Sequence, residues 1–558
     1  MTSSRSRYQP LPTDVPNDIS LANQVLTDDL HSTLPTLGTS ATNAGIKRSL
    51  HERHLSMIAL AGMIGTGLFL SSGKALANAG PLGCVLAFIV MGTVTASMAY
   101  ISAEMSALKP VQGGFVRHAA MWLDGSSGIA VGWNFWYSMV ITMPTEISAA
   151  TTLLAFWKPA IHPSIPITIL WLLISIFNFS PVRVYGEFEF YLAFCKIALI
   201  LCFVIGGLVL DLGGFPEQDF IGFRYWTNPY HLFREYVTTG FRGRFLGFWS
   251  AMISAAFAYG GVQIVALVGA ETRNPRKAIP AALKKTFARV VFFYVASIFV
   301  ISLTIPANDK RLYLPTEDVT HSPFVIAFSN AGMKALPSII NAIVLSSAFS
   351  SGNAATFLGA RALHGLALDG HAPQIFLELN RFGVPYVAVA ASVIWGAVAY
   401  TSLNQGAFQA FLWLVSLVAT SAIVSWVVMC LTYLRFFYAL RVQKIPRESL
   451  PYRSPLQPYL TYYALAMNIL VLIFSGWNSF FPTFDLSLFT SNYFNCIFYP
   501  LLYLGCKLWF KDTMVELDAI DIQTELDLID IEVEQVFAEN QLDCAGLSTY
   551  DRFLNSIF

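Results

Sequence analysis

The stretch "GMIGTGLFLSSG", residues 62–73, lies inside a long apolar run and carries glycine at Gly62, Gly65 and Gly67. Glycine is about 1 kcal/mol less favourable than alanine inside a helix, so this clustering calls for a physical reason. One interpretation is close packing of a membrane helix through small residues, which the glycines alone favour. The other is an opened helix, which a membrane tolerates only where the freed backbone groups are buried in protein or line a cavity. Such an opening presents N–H groups and a positive helix end to an anionic group.

The composition is typical of a membrane protein. Of 558 residues, 55% are hydrophobic and only 12% are charged, whereas soluble domains carry about 25% charged residues. A membrane helix needs roughly 20 apolar residues, and the chain offers such runs at 55–79, 83–108, 128–156, 163–180, 187–211, 246–270, 287–306, 335–360, 385–402, 407–433, 459–476 and 490–510. The predicted fold class is therefore an all-α polytopic membrane protein with about 12 transmembrane helices.

The predicted domain organisation has three parts. Residues 1–46 are polar and predict a disordered cytoplasmic tail, 47–510 form the transmembrane domain, and 511–558 form an acidic cytoplasmic tail. Lys and Arg concentrate in the even-numbered connections, which places both termini in the cytoplasm, although 212–245 carries four arginines on the outside. The acidic tail is either an amphipathic helix resting on the protein's own loops or a docking site for trafficking or regulatory proteins.

A second interruption lies in the sixth apolar run, "SAAFAYGGVQIVALVGAE". Gly260 and Gly261 fall in mid-run, close to Phe257, Tyr259 and Gln263. Interrupted helices at corresponding positions indicate a transporter built from inverted repeats. Two five-helix repeats followed by two extra helices fit the number of runs, so transport is favoured over simple packing.

Polar residues within the runs are candidate functional groups, because each is costly in lipid. Glu146, in "MVITMPTEISAATTL", could carry a proton or meet a cationic group, and Lys196, in "YLAFCKIALILCF", could replace a bound cation or tie a backbone carbonyl. Asn353, with Ser346, Ser347, Ser350 and Ser351, predicts a polar helix face that lines a pathway. Glu104 lies near a helix end, where the prediction is a solvated position and the alternative is a contact of a cytoplasmic gate.

Other classes of protein are disfavoured. There is no convincing catalytic set, no P-loop of the GxxxxGK[ST] type and no CxxC pair among the seven cysteines, so we expect no enzyme, no cofactor and no metal site. The formal net charge is zero, so the overall charge balance says nothing about partners, and no nucleic-acid partner is expected. Broken helices around a midplane site favour alternating access over a channel.

Taken together, these residues resemble the fungal amino acid permeases, the yeast amino acid transporter family of the amino acid–polyamine–organocation superfamily. The resemblance covers most of 45–510 and rests on "IKRSLHERHLSMIALAGMIGTGLFLSSGKALANAGPLG", "AEMSALKPVQGGF", "GWNFWYSMVITMPTEISAA", "GAETRNPRKAIP" and "ALHGLALDGHAPQIF". It implies a LeuT-type 5+5 inverted repeat plus two helices. It also implies proton-coupled symport of amino acids across the plasma membrane by alternating access, driven by the proton gradient.

The resemblance also implies roles for the residues of the first interruption and of the third and fifth spans. Ile64, Gly65, Thr66 and Gly67 would bind the substrate carboxylate through their backbone. Glu146 matches a glutamate linked to substrate choice or proton coupling. Lys196 matches a lysine that stands where sodium-coupled relatives hold a sodium ion.

In the second interruption, Phe257, Ala258 and Tyr259 would supply carbonyls for the substrate's amino group, with Phe257 as an aromatic gate. Gln263 departs from the family, whose members typically have a glutamate there. An amide does not titrate, so a proton role moves to Glu146.

The substrate side chain is left open by the sequence. A backbone seat reads the carboxylate alone, so neutral amino acids are the default expectation. Carnitine-like or polyamine-like amines stay as alternatives because aromatic faces attract quaternary ammonium groups. A second function class is a nutrient sensor that keeps the transporter fold but signals.

Overall fold

The computed structural model describes residues 64–111, 113–157, 161–215, 219–262, 264, 275–312, 322–333, 335–481 and 483–529. The predicted N-terminal tail 1–46, Gln263 and the acidic tail from 530 onward lie outside these residues. Within the described ranges the secondary structure is helical, with 3₁₀ and π turns and no strand.

Most of the described α-helices coincide with the apolar runs of the sequence, although Phe115–Trp122 and Pro323–Asn330 lie between runs and the α-helix that begins at Tyr386 covers only part of the run 385–402. They are α1 Ser72–Leu108, α2 Phe115–Trp122, α3 Gly125–Leu154, α4 Ser164–Phe179, α5 Val182–Asp211, α6 Gly240–Ala258, α7 Pro275–Thr304, α8 Pro323–Asn330, α9 Leu336–Leu368, α10 Tyr386–Val393, α11 Ser402–Gln405, α12 Ala407–Val442, α13 Tyr459–Ile473 and α14 Leu486–Phe510.

Six helical segments of the described chain are long and apolar enough to cross a membrane. They are Gly67–Leu108, Gly125–Trp157, Tyr185–Asp211, Tyr386–Asn404, Ala407–Val442 and Tyr459–Phe480, and two shorter apolar helices are Ser164–Phe179 and Val291–Thr304. The protein is therefore a multi-pass α-helical membrane protein.

A bend at Gly80 joins the first two predicted spans in place of a loop. Its φ is 77° and its ψ is 173°, a conformation that side chains disfavour. The loop after α5 packs into the bend, where the Arg234 N–H donates to the Ala79 carbonyl and the Leu82 N–H to the Leu232 carbonyl, both at 3.0 Å. A Cβ on Gly80 would lie 2.7 Å from the Arg234 nitrogen, so the close approach requires glycine.

The helices that position the site pack in two groups. The α3 helix packs against α9 and α12, and α1 packs against α6 and α7. Small residues allow close approach between such helices. A Cβ on Gly352 of α9 would lie 3.4 Å from Glu146 Cβ of α3, and one on Gly359 would lie 3.2 Å from Met139 Cβ. The polar face of α9 is thereby brought beside α3.

The segment 511–529 lies on the chain's own helix ends. Asp512 accepts from the Ser126 N–H and hydroxyl at 2.6 Å, and Glu525 pairs with Lys109 at 2.9 Å. Ile522 and Leu526 are buried in the core. This arrangement matches the first interpretation of the acidic tail, and docking of other proteins stays a prediction.

Candidate functional site

In the apolar run 55–79, the described part begins outside a helix. Ile64 and Gly65 lie outside any helix, and a π turn at Gly67–Ser71 leads into α1 after Thr66. The first N–H groups of a helix have no partner within that helix. The interrupted end therefore presents backbone donors to its surroundings, as an opened helix requires.

In the apolar run 246–270, the described helix ends in mid-run. Helix α6 ends at Ala258, and Tyr259 to Val262 form turns in which Gly261 has a φ of 94°. The last carbonyls of a helix carry the negative end of its dipole. A positive helix end and a negative helix end thus lie within one region of the bundle.

These two interruptions touch each other at Gly67, whereas Gly65 faces α9 and α3. A Cβ on Gly67 would lie 2.6 Å from Ala258 Cα and 3.1 Å from Phe257 Cδ1. A Cβ on Gly65 would lie 2.8 Å from Ser351 Oγ and 3.1 Å from Glu146 Oε1. The backbone contact at Ala258 requires glycine at Gly67, whereas a Cβ on Gly65 would require the Ser351 and Glu146 side chains to shift.

A small cavity of about 60 Å³ lies between the interruptions and helices α3, α9 and α12. A cavity needs a volume of roughly 10–15 Å³ to hold one water, so several waters fit. Its lining combines both interruptions with hydroxyls and one carboxylate. The lining residues are Gly65, Gly67, Ser138, Met139, Thr142, Glu146, Phe257, Ala258, Gly260, Gly261, Ile264, Ser351, Ala354, Ala355, Leu358, Val418 and Ala422.

Glu146 is the carboxylate of this lining. Its side chain is 3% exposed, and it interacts with Thr66 and with Lys196. Among the described residues, its Oε2 atom has no hydrogen-bond partner. The Lys196 ammonium donates to Ser351 Oγ at 3.4 Å, and Ser351 in turn donates to the Ile64 carbonyl at 3.4 Å. One serine of α9 therefore links the lysine to the interrupted start of α1.

The other predicted site residues divide between the cavity and its surroundings. Phe257 and Ala258 line the cavity. Tyr259 packs its ring 5.0 Å from that of Tyr294, and Thr66 is buried beside Glu146. Asn353 is buried behind the cavity in contact with α5, as detailed below. Gln263 lies outside the described residues.

Two hydroxyls of the lining were missed by the sequence analysis. Ser138, Thr142 and Glu146 are spaced by four residues along α3, which places them on one face of the helix. All three line the cavity. That spacing was the signal from which the two hydroxyls could have been predicted.

The prediction of a solvated Glu104 is wrong. Its side chain is 1% exposed at the end of α1. Arg447 donates to both carboxylate oxygens, at 2.8 and 3.0 Å, and Tyr433 donates at 2.8 Å. Ser454 donates through its N–H at 2.9 Å and through its hydroxyl. This carboxylate is a fully paired tie between distant parts of the chain.

The fold and the site define a class of protein. Interrupted membrane helices that meet at a buried, partly polar cavity are the arrangement of membrane transporters. A manganese transporter of Eremococcus coleocola, in complex with an aromatic bis-isothiourea compound, has a similar fold. The TM-score is 0.54 at 12% identity, over 87% of this chain and 100% of that chain.

Sequence comparison gives the family. The amino acid permease family model matches residues 54–519, and the chain belongs to this family. The lysine-specific permease of Saccharomyces cerevisiae is 37% identical, over 86% of this chain and 78% of that protein. The dicarboxylic amino acid permease of the same yeast is 33% identical, over 92% and 87%. These relatives are transporters and not enzymes, so the protein is an amino acid permease.

Proposed function

We propose that this protein is a proton-coupled symporter that imports amino acids across the plasma membrane by alternating access. In this proposal about 12 spans form a LeuT-type 5+5 inverted repeat with two further helices, and both termini are cytoplasmic. The proton gradient supplies the energy, with no cofactor. The paired interruptions at Gly65–Gly67 and at Ala258–Gly261 support the repeat, because they fall in the first and sixth apolar runs.

The observation that carries the proposal is the state of Glu146. A buried carboxylate oxygen without a hydrogen-bond donor is costly when the group is charged. Glu146 Oε2 is such an oxygen among the described residues, and the side chain borders the cavity. Taking up a proton lowers that cost, because burying a neutral carboxyl group is less unfavourable than burying a charged one. A group that gains a proton when the cavity faces the acidic side and loses it on the other side couples transport to the gradient.

The two helix ends supply a seat for the invariant part of an amino acid. The N–H groups at the start of α1, near Gly65 to Gly67, suit the substrate carboxylate. The carbonyls at the end of α6, near Phe257 to Tyr259, suit the substrate ammonium. The glycines let these ends approach within contact distance, so one small zwitterion can reach both.

Opening of the site requires movement of its lining. The cavity of about 60 Å³ has room for a few waters, and an amino acid with a large side chain requires more space. Phe257 borders it and packs edge-on against Phe411, with ring centroids 6.3 Å apart. Rotation of the Phe257 ring is the smallest change that enlarges the site, which gives this residue the role of a gate.

The preferred substrate in this proposal is a neutral amino acid. The relatives include a lysine-specific and a dicarboxylic permease at similar identity, so similarity does not choose the side chain. The lining beyond the seat is mostly apolar or hydroxyl-bearing, with Met139, Leu358 and Val418 opposite the interruptions. Such a lining favours an uncharged side chain.

The test is uptake of a radiolabelled panel in permease-deficient yeast at pH 5 and pH 7. The panel holds neutral, basic and acidic amino acids, proline, carnitine and spermidine, and the Glu146→Gln variant is assayed beside the parent. We expect acid-stimulated accumulation of neutral amino acids that the variant loses. Glu187→Gln, an exposed amide substitution on α5, is the control and keeps the parent's uptake. Absence of all uptake despite surface expression would instead favour a nutrient sensor.

A further inference from the structure

Glu189 of α5 is a second buried carboxylate near the site, which the sequence analysis did not single out. Its side chain is 1% exposed. Both of its oxygens accept hydrogen bonds from α9: Ser350 Oγ donates to Oε2 at 2.6 Å and Asn353 Nδ2 donates to Oε1 at 3.0 Å. Asn353 is held in turn by Asn178, whose Nδ2 donates to its Oδ1 at 2.8 Å. The carboxylate is therefore fixed in one position.

The same carboxylate faces the lysine of the site. Lys196 follows Glu189 by seven residues, which is two helical turns and the same face of α5. The Lys196 ammonium interacts with both Glu189 and Glu146 and is itself 1% exposed. One buried cation thus serves two buried anions on different helices.

The other charged or titratable groups around Glu189 are few in the described part of the bundle. Tyr185 on its own helix interacts with it and stacks on Phe357 of α9 at 4.2 Å. Arg361 of α9 lies over the other side of the aromatic pair, 4.2 Å from the Phe357 centroid. From α7, Tyr294 interacts with Glu146. Among the described residues, Lys196 interacts with both carboxylates.

The net charge of the three buried groups, together with their hydrogen bonds, indicates which of the two carboxylates carries a proton. With all three groups ionised, Glu146, Lys196 and Glu189 sum to one negative charge, and an unbalanced charge in the membrane interior is costly. One added proton makes the set neutral. Glu189 has a donor on each oxygen, whereas Glu146 has an oxygen without a partner among the described residues and borders the cavity. The proton is therefore best placed on Glu146.

We propose that Glu189 is the fixed counter-ion of Lys196, a positioning residue that keeps the lysine charged so that Glu146 alone exchanges the transported proton. This inference rests on the proposed function, since it assigns a role within proton coupling. It makes Ser350 and Asn353 part of the coupling apparatus, because they hold Glu189 in its ionised form. Asn353 therefore stabilises the ionised Glu189 and does not bind the substrate.

The prediction concerns the pH profile of uptake. In Glu189→Gln, Lys196 loses one of the two buried carboxylates with which it interacts and keeps Glu146, so Glu146 resists protonation. We expect the pH midpoint of uptake, normalised to surface protein, to move about one unit towards acid, the shift that one nearby charge produces. Exchange of labelled for unlabelled substrate in proteoliposomes, without a gradient, should persist. Glu189→Asp keeps the charge and should restore the parent's midpoint.

The matched control is Glu187→Gln, because Glu187 lies two residues away on the same helix and is exposed. Its profile should match the parent's. A Glu189→Gln profile that overlays the parent's would overturn the proposal. If the parent itself shows uptake without proton dependence, the proposed function fails instead, and the two failures are distinct.

If Glu189→Gln does not reach the membrane, its surface expression still tests whether Glu189 pairs with Lys196. Removing one member of a buried ion pair destabilises a protein, whereas removing both members is often tolerated. Surface expression that is lost in Glu189→Gln and recovered in the Glu189→Gln, Lys196→Met double variant would support the pairing. Equal loss in the single and the double variant would contradict it.

Discussion

Two buried carboxylates of this protein have nearly equal exposure and opposite surroundings. Glu104 is 1% exposed and Glu146 is 3% exposed. Glu104 receives donors from Arg447, Tyr433 and Ser454 on both oxygens. Glu146 borders a cavity and has, among the described residues, no donor on Oε2.

The comparison shows that burial alone does not separate a structural carboxylate from one that handles protons. A fully paired carboxylate loses its partners when it gains a proton, so protonation is resisted and the group holds helices together. An incompletely paired one beside a cavity gains or loses a proton with little rearrangement. The following predictions test whether this distinction governs the protein.

The largest effect is expected for Glu104→Gln. The substitution leaves the Arg447 guanidinium without its anion, and breaking a buried pair costs roughly 3–5 kcal/mol. The value is reduced here because the Arg447 side chain is 24% exposed. We expect a marked fall in the melting temperature of the purified protein, measured in detergent, and weak surface expression. Glu146→Gln should melt within a few degrees of the parent.

Double substitution serves as the control for Glu104. The Glu104→Gln, Arg447→Gln variant removes both charges and should recover part of the lost stability. If Glu104→Gln melts like the parent while Glu146→Gln does not, the structural role belongs to Glu146 and the assignment is wrong.

The next effect is expected for Gly67→Ala. The added Cβ would lie 2.6 Å from the Ala258 backbone, which has no flexible end to move aside. Overpacking of this kind costs about 1–3 kcal/mol. Because it separates the two helix ends that seat the substrate, we expect uptake to fall about tenfold or more, the change that 1.4 kcal/mol produces.

The control for this glycine is Gly365→Ala on α9. An added Cβ there meets no described atom within 4 Å. Uptake by this variant, measured at equal surface expression, should match the parent's. A Gly67→Ala variant with unchanged substrate affinity would show that the close contact between Gly67 and Ala258 is not needed for substrate binding.

The smallest effect is a pH dependence of stability that comes from one buried histidine. Burial of His118 in α2 lowers its pKa from 6.5 to about 4, and its Nε2 lies 2.8 Å from the Lys109 carbonyl. The unfolded chain therefore binds a proton that the folded protein excludes as the pH falls from 6.5 towards 4. Between pH 7 and pH 5 this removes about 2 kcal/mol of stability.

His118→Phe keeps the aromatic ring that stacks on Trp122 and removes the titration. The fall in melting temperature between pH 7 and pH 5 should be smaller in this variant than in the parent. The exposed His231→Phe is the control, and its pH dependence should follow the parent's. An unchanged pH dependence in His118→Phe would show that this histidine is not the cause.

The helices were predictable from sequence because the signal is local. A run of apolar residues sets where a membrane helix forms, and each predicted run carries a helix in its described part. The bend at Gly80 could not be predicted from the sequence, because a short break between two apolar runs is typical of a loop. Its cause is the segment at Arg234, far along the chain.

The candidate site was only partly predictable. The glycines and Glu146 stand out because they are costly within apolar runs, and Gly65, Gly67, Phe257, Ala258 and Glu146 line one cavity. Long-range partners are not visible in a sequence. Arg447 lies 343 residues from Glu104, and Ser350 lies 161 residues from Glu189, so neither carboxylate could be assigned correctly.

The central claim is that Glu146 exchanges the proton that drives uptake. The most direct measurement is proton movement itself, followed with a pH-sensitive dye inside proteoliposomes while a transported neutral amino acid is added outside. The account predicts that substrate addition acidifies the lumen with the parent protein and not with Glu146→Gln, although the variant still exchanges labelled substrate. Equal acidification by the parent and the variant, or none by the parent during active uptake, would contradict it.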